Sequence, residues 1–534
     1  MVSPIIWTGP FLFNSWYLLL LWRKQLYYSK YFFSMATFCL ALLGFAATVF
    51  AQAVDDANNI SDVLAATDRL NPQDKPNIIV IFADDLGYGD IGAYGSTTIK
   101  TPNIDQMADQ GAMFDAFYAA SPVCTPSRAG LLTGRYPIRQ GIHDVFYPES
   151  FQGMDPEEVT IPEVLKEAGY ATALVGKWHL GHHQQYMPWN QGFDEFFGLP
   201  YSNDMGGLYY FDNKDIDFED VDQRYITKTY TDRALQFIDK HQRQPFFLYL
   251  AHNMPHVPVY ASPEFEGQSA GGVYGDVVEE LDWSVGRVLA RLDALKLSEN
   301  TLVIFTSDNG PWLMMGDEGG SAGELREGKQ FTFEGGMRVP AVAYWPGTIK
   351  AGTKPAGFAT MMDWLPTFAN LAGVSVPVDR VIDGKDITGL LTGSGARSEQ
   401  TLFYYMSGEL RAYRSGDWKI KLPYRGLAGF LSWLQDGFIS GHDLLLFNLK
   451  EDPGERNNLA AEQGGRVESM LAEIEVFKAS LGVVPVAKKT GKNMDFSPYV
   501  HLGFRFVGKV LLILLLASFF LFWIIRKALH LIRH

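Results

Sequence analysis

The chain reads as an α/β protein built on a large, mostly parallel β-sheet flanked by helices, with a smaller α+β region behind it. Three observations carry this reading. Residues 77–82 (Asn-Ile-Ile-Val-Ile-Phe) and 301–306 (Thr-Leu-Val-Ile-Phe-Thr) are continuous apolar runs rich in β-branched side chains, as in strands buried on both faces. Helical patterns fall between these and similar runs, and strand–helix alternation marks a parallel sheet. After about residue 395 the texture changes to short strand-like runs separated by turn residues.

Each element follows from local chemistry. Further strands are expected at 171–175, 245–251 and 339–344. A helix over 101–110 opens with Thr101-Pro102 and stops at Gly111; others are expected at 161–168 and, long and amphipathic, at 275–295. Beyond 395, strands at 402–405, 410–414, 418–422 and 444–448 precede a helix over 465–481. The organisation read from this is a leader at 1–53, a main α/β domain at 75–395, a C-terminal α+β subdomain at 396–485 and a linker at 486–506. Residues 507–525 are apolar apart from Lys509 and are followed by Arg526 and Lys527, which predicts a C-terminal transmembrane helix.

The leader holds two apolar stretches, 11–22 and 31–50, divided by Arg23, Lys24 and Lys30. The second ends in Ala51-Gln52-Ala53, a small-x-small pattern suited to signal-peptidase cleavage. An uncleaved N-terminal anchor is the alternative. With the tail helix, this predicts a membrane-anchored protein on the extracytoplasmic or periplasmic side. The net charge of −15 argues against nucleic acid as a partner, which would call for a basic face. Of two cysteines, Cys39 lies in the leader, so cleavage leaves Cys124 alone and unable to form an internal disulfide.

Ligands of open α/β sheets bind beyond the carboxyl ends of the strands. The run at 77–82 leads into Ala83-Asp84-Asp85, and the run at 301–306 into Ser307-Asp308-Asn309-Gly310. Together these supply an oxygen-rich set suited to calcium or magnesium; each alone is more readily a solvated pair or a turn. Cys124 begins Cys124-Thr125-Pro126-Ser127-Arg128, where Thr125 and Pro126 read as the cap and first residue of a helix ending near Gly134. The cysteine would stand at that helix N-terminus, where an anion is favoured, with Arg128 one turn in.

Cys124-x-Pro126-Ser127-Arg128 followed by Thr133-Gly134-Arg135 resembles the signature of the type I sulfatases, within the alkaline phosphatase superfamily. The resemblance runs from about Lys75 to Leu481 and includes Gly176-Lys177-Trp178-His179-Leu180-Gly181, Gly198-Leu199-Pro200-Tyr201-Ser202, Pro255-His256-Val257-Pro258, Gly328-Lys329-Gln330 and Phe333-Glu334-Gly335-Gly336-Met337-Arg338. It is nearest in look to arylsulfatases and N-acetylgalactosamine-6-sulfatases. The resemblance implies an alkaline phosphatase-like fold and hydrolysis of aryl or carbohydrate sulfate esters. It implies that a separate maturation enzyme oxidises Cys124 to formylglycine (3-oxoalanine), whose hydrate attacks sulfur. Asp84, Asp85, Asp308, Asn309 and the modified Cys124 match calcium ligands, with magnesium possible. Arg128 matches the residue that holds the diol, and Lys177 and Lys329 the sulfate clamps. His179 matches the base and His256 the acid at the leaving oxygen. Ser202 matches a substrate contact.

Within this resemblance His256 is preferred to His252 as the acid, His182 and His183 are rim residues, and Asp363 and Trp364 belong to a helix packed on the sheet. Aromatic residues of the loops around 201–222 and 422–442 (Tyr209, Tyr210, Phe211, Tyr424, Trp433) suit sugar stacking or ordinary packing equally. Two rival functions remain open at this point: a phosphonate or phosphate monoester hydrolase using the same nucleophile, and an inactive glycan-binding relative.

Overall fold

The computed structural model describes residues 75–205, 208–217, 220–424 and 441–482. Nine strands form the main sheet: β1 (Asn77–Ala83), β2 (Ala112–Met113), β3 (Ala171–Gly176), β4 (Glu195–Gly198), β5 (Tyr210–Asp212), β6 (Asp215–Asp217), β7 (Phe246–Ala251), β8 (Thr301–Ser307) and β9 (Ala341–Tyr344). Their spatial order is β2-β9-β8-β1-β7-β3-β4-β5-β6. The five central strands, β8 to β4, are parallel, and antiparallel strands close both edges. Every residue of β1, β3, β7 and β8 is buried, which is why these segments read as unbroken apolar runs.

Helices α1 (Pro102–Gln110), α2 (Cys124–Thr133), α3 (Ile161–Glu167), α4 (Ile226–His241) and α5 (Gly272–Leu295) belong to the same body. Ile79, Ile81 and Ala83 of β1 point into one core with α1, α4 and α5. The alternate residue Phe82 meets Tyr249 of β7, whose neighbour Phe247 contacts Phe368 of α7 (Trp364–Ala372). Both faces are therefore covered, and each fully buried aliphatic or aromatic side chain contributes about 1.5–3 kcal/mol.

A single-turn helix, α6 (Glu334–Met337), precedes β9, and the C-terminal region forms a four-stranded antiparallel sheet of β10 (Thr401–Met406), β11 (Glu409–Ser415), β12 (Trp418–Lys421) and β13 (Leu445–Asn448). Helix α8 (Gly464–Ser480) packs on it through Phe477, stacked 3.6 Å from Phe403.

Three expectations are corrected. The segment 339–344 is not one strand: Pro340 divides Arg338–Val339, in a small three-stranded sheet, from β9, which runs antiparallel. The β5–β6 hairpin replaces part of an expected loop. The transmembrane helix of the expected fold class has no counterpart in the described fold: among the described residues no helix is long and apolar enough to cross a membrane. The longest, α5, carries Asp276, Glu279, Glu280, Asp282, Arg287 and Arg291 and buries one face against the sheet. The segments 1–53, 486–506 and 507–525 lie outside the described residues, as does Trp433.

Candidate active site

The site forms where β8, β1, β7 and β3 end side by side. Ala83 pairs with Ser307 in register, so the residues that follow, Asp84-Asp85 and Asp308-Asn309, emerge together. Asp85 adopts a left-handed φ of 64°, a conformation that costs a non-glycine residue energy. Its N–H donates to Asp308 Oδ1 at 3.0 Å, and Asn309 Nδ2 donates to Asp85 Oδ1 at 2.7 Å. These bonds hold the turn in place.

Next to it, β3 ends at Gly176, where a Cβ would fall 1.8 Å from the Ala251 carbonyl oxygen of β7. Only glycine allows the strands to approach this closely, and Lys177, the next residue, reaches past β7 to the end of β1. Its Nζ donates to Asp84 Oδ2 at 2.5 Å. His179, also at a left-handed φ (62°), donates through Nε2 to the Phe146 carbonyl oxygen, 2.9 Å away. A carbonyl only accepts, so Nε2 carries the proton and neutral His179 presents its lone pair at Nδ1. That atom is buried and has no protein partner.

Helix α2 begins at Cys124 itself, with Val123 as a cap that offers no side-chain bond, two residues earlier than the Thr125 cap expected. Thr125 is used differently: its hydroxyl donates to the His179 carbonyl (3.0 Å) and accepts from Phe146 N–H (3.1 Å), tying three segments together. Cys124 Sγ lies 3.5 Å from Asp84 Oδ1 and accepts from Lys329 Nζ at 3.4 Å. Arg128, fully buried, donates to Asp308 Oδ2 through Nε (3.1 Å) and Nη2 (2.8 Å) and to the Lys177 carbonyl through Nη1 (3.3 Å). Lys329 Nζ also donates to Asp85 Oδ2 at 2.7 Å. His256 Nδ1 donates to the Val257 carbonyl at 2.6 Å, which leaves Nε2, 3.5 Å from Asp85 Oδ2, as its free nitrogen. Ser202 Oγ is 3.4 Å from His256 Nδ1.

All eleven residues singled out in the sequence thus meet in one buried cluster, Ser202 by way of His256. His252 does not: it lies beneath the site against Ser284 (3.2 Å), and burial lowers its imidazole to about 3. His182 bonds the Tyr201 hydroxyl, and His183 stacks on the exposed Phe151 ring. Asp363 pairs with Arg397, and Trp364 is buried among Phe114, Phe117 and Phe368. Two neighbours carried no signal of their own in the sequence. Trp312, four residues past Asp308, holds its ring 4.6 Å from Lys329 Nζ and 5.5 Å from the His256 ring. Asp204 stands two residues past Ser202.

Charge balances in the cluster: Asp84, Asp85 and Asp308 face Arg128, Lys177 and Lys329. Burial would raise Asp84, but Lys177 and Arg128 outweigh it and hold the carboxyl below its usual range. Asp308 is raised by burial and by Asp84. Burial also lifts the Cys124 thiol well up, against Lys177 and Lys329, so the encoded side chain is a thiol and a poor nucleophile. Burial, with Lys177 and Arg128, pushes His179 well down and keeps it neutral, the state a base requires. Ligand atoms of Asp84, Asp85, Cys124 and His256 lie within 4.8 Å of one another, and the buried Asn309 Oδ1 has no donor. Hard carboxylate oxygens and an orphaned amide oxygen fit a divalent cation.

Residues 76–374 match the Sulfatase family model, and residues 327–476 match that of the N-sulphoglucosamine sulphohydrolase C-terminal region. N-acetylgalactosamine-6-sulfatase of Canis lupus familiaris is 42% identical over 471 residues, covering 78% of this chain and 86% of its own. Arylsulfatase A of Homo sapiens is 40% identical over 448 residues, covering 76% and 88%. Among solved structures, the PsFucS1 sulfatase from Pseudoalteromonas superposes with a TM-score of 0.71 at 28% identity, over 81% of this chain and 96% of its own. The chain belongs to the sulfatase family and is a sulfuric ester hydrolase.

Proposed function

We propose that this enzyme cleaves sulfate esters of carbohydrates through an oxidised Cys124, in an exported location. The observation that supports this most directly is the position of Cys124 Sγ, between Asp84 and Lys329 in a cluster of three carboxylates and three cations. The names of the relatives support a sulfated sugar as substrate, and the leader-like first 53 residues support export.

Asp84, Asp85, Asp308 and Asn309 would hold a hard divalent cation, calcium or magnesium, beside residue 124. When present, the metal and the formylglycine supply an activated hydroxyl in place of a thiol. With the carboxylates committed to a cation, the ammonium groups of Lys177 and Lys329 are free to neutralise sulfate oxygens in a desolvated pocket. Arg128 orients the side chain at 124 from below, locked by Asp308. His179 takes a proton at Nδ1, and His256 delivers one to the departing alcohol from Nε2, its other nitrogen being tied to Val257.

The test compares protein produced with and without a formylglycine-generating enzyme, by the mass of the peptide carrying residue 124 and by sulfate release from an aryl sulfate. Activity should follow the modified fraction and vanish in Cys124→Ala. Equal activity from fully unmodified protein would sink the proposal, and faster turnover of an aryl phosphonate would reassign the substrate.

A further inference from the structure

The alcohol half of the substrate must lie against whatever flanks His256, and two side chains with no assigned role stand there. The first belongs to the turn after Ser202. Asn203, 2% exposed, clamps this turn onto the His256 loop, its Nδ2 reaching the carbonyl oxygens of His256 (3.4 Å) and Pro258 (3.1 Å). Met205 N–H closes the turn on the Ser202 carbonyl at 3.2 Å. Ser202 is fully buried, yet Asp204, at the apex, is exposed. Its carboxylate stands outside the cluster that could hold a metal. Against the cost of partial burial, the charges of His256, Lys177 and Lys329 and a hydrogen bond from Ser202 keep it ionised.

The second is Trp312, which is partly exposed while its ring borders both Lys329 and His256. Its loop is fixed to Lys329 by the bond from Lys329 N–H to the Pro311 carbonyl, 2.8 Å. Leu313 and Met314 beyond it are exposed.

A carboxylate beside a sulfate pocket opposes the anion, so its contribution must come from elsewhere. An ionised carboxylate only accepts hydrogen bonds. The partner that suits it is a neutral hydroxyl, through a charge-assisted bond. A simple aryl group offers no such donor, and a second sulfate at this position would be repelled. An indole face supplies the complementary apolar surface for a sugar ring. Resting on the sulfatase reading above, we propose that Asp204 and Trp312 form the subsite for the leaving alcohol. The subsite takes a pyranose with a free hydroxyl near the ester, and Asp204 accepts from that hydroxyl.

A monosulfated pyranose and its monodeoxy analogues test this, with kcat/KM measured on metal-loaded, modified enzyme. The wild type should lose about 10- to 100-fold on one analogue, the loss expected when a hydrogen bond to a charged group is removed. Asp204→Asn, which keeps the shape, and Asp204→Ala should lose activity on the parent sugar and no longer discriminate against that analogue. Trp312→Phe should retain more sugar activity than Trp312→Leu. Equal losses on parent and analogue in both Asp204 variants, with discrimination preserved, would overturn the subsite. Absence of sulfate release by the wild type from every sugar and from an aryl sulfate would instead overturn the sulfatase reading beneath it.

Discussion

Replacing Lys419 with methionine should destabilise this protein by about 3–5 kcal/mol, the usual result of removing one partner from a buried ion pair. Lys419 Nζ lies 2.9 Å from Glu334 Oε1 and 3.0 Å from Glu455 Oε1, and all three side chains are fully buried. Methionine keeps most of the volume, so little cavity energy is added. What it leaves is two carboxylates without their cation. Glu334 would still accept from the Tyr118 hydroxyl, and Glu455 from Glu334 N–H, so part of the network survives. The pH dependence carries a sign. Burial would raise Glu334, but Lys419 and Arg414 outweigh it and hold it below 4.5. The stability it contributes is therefore present above that value and lost as pH falls through the folded value. The deficit of Lys419→Met should shrink on acidification. Urea unfolding with an unchanged m-value measures it. Adding Glu334→Gln should restore part of the loss, because the two positions are coupled. A deficit below about 1 kcal/mol, or full additivity in the double variant, would refute the reasoning.

Two further outcomes are expected. Asp90 is pushed up to about 6 by burial, against hydrogen bonds from Tyr274 and Gly87, so its contribution is full below the unfolded value of 3.8 and lost as pH rises toward 6. Asp90→Asn should flatten the stability–pH curve across that window and raise stability at neutral pH by up to about 3 kcal/mol, read from urea midpoints at acid and neutral pH. Arg128→Lys keeps the charge but loses the fork that grips Asp308, so kcat/KM on an aryl sulfate should fall by at least about 100-fold while the protein stays folded by circular dichroism.

Much of the parallel core was legible because full burial writes itself as unbroken apolar runs, as at 77–82 and 301–306. The polar residues just past those runs were legible for the same reason: they stand where a strand stops. Short edge strands such as β2 and β5 were not, since two or three residues give no period to read. The helix beginning at Cys124 was placed two residues late because Thr125 has the chemistry of a cap, but its hydroxyl is engaged by Phe146 and His179. Asp204 and Trp312 were missed for a physical reason as well. Their place beside His256 depends on long-range packing of two loops, and an isolated Asp or Trp in a loop carries no spacing that points there.

The burial of Cys124 sets an order of events in the life of the molecule. The residue is 1% exposed, at the sheet end and at the first position of a helix. On the proposed chemistry, an oxidising enzyme has no approach to its sulfur once the chain has closed around it. The reaction must therefore be finished while residues 124–135 are still an extended peptide. A molecule that folds first would be correct in shape and permanently without its working group. The speed of folding competes with the speed of maturation, and a variant that folds faster could be born less active.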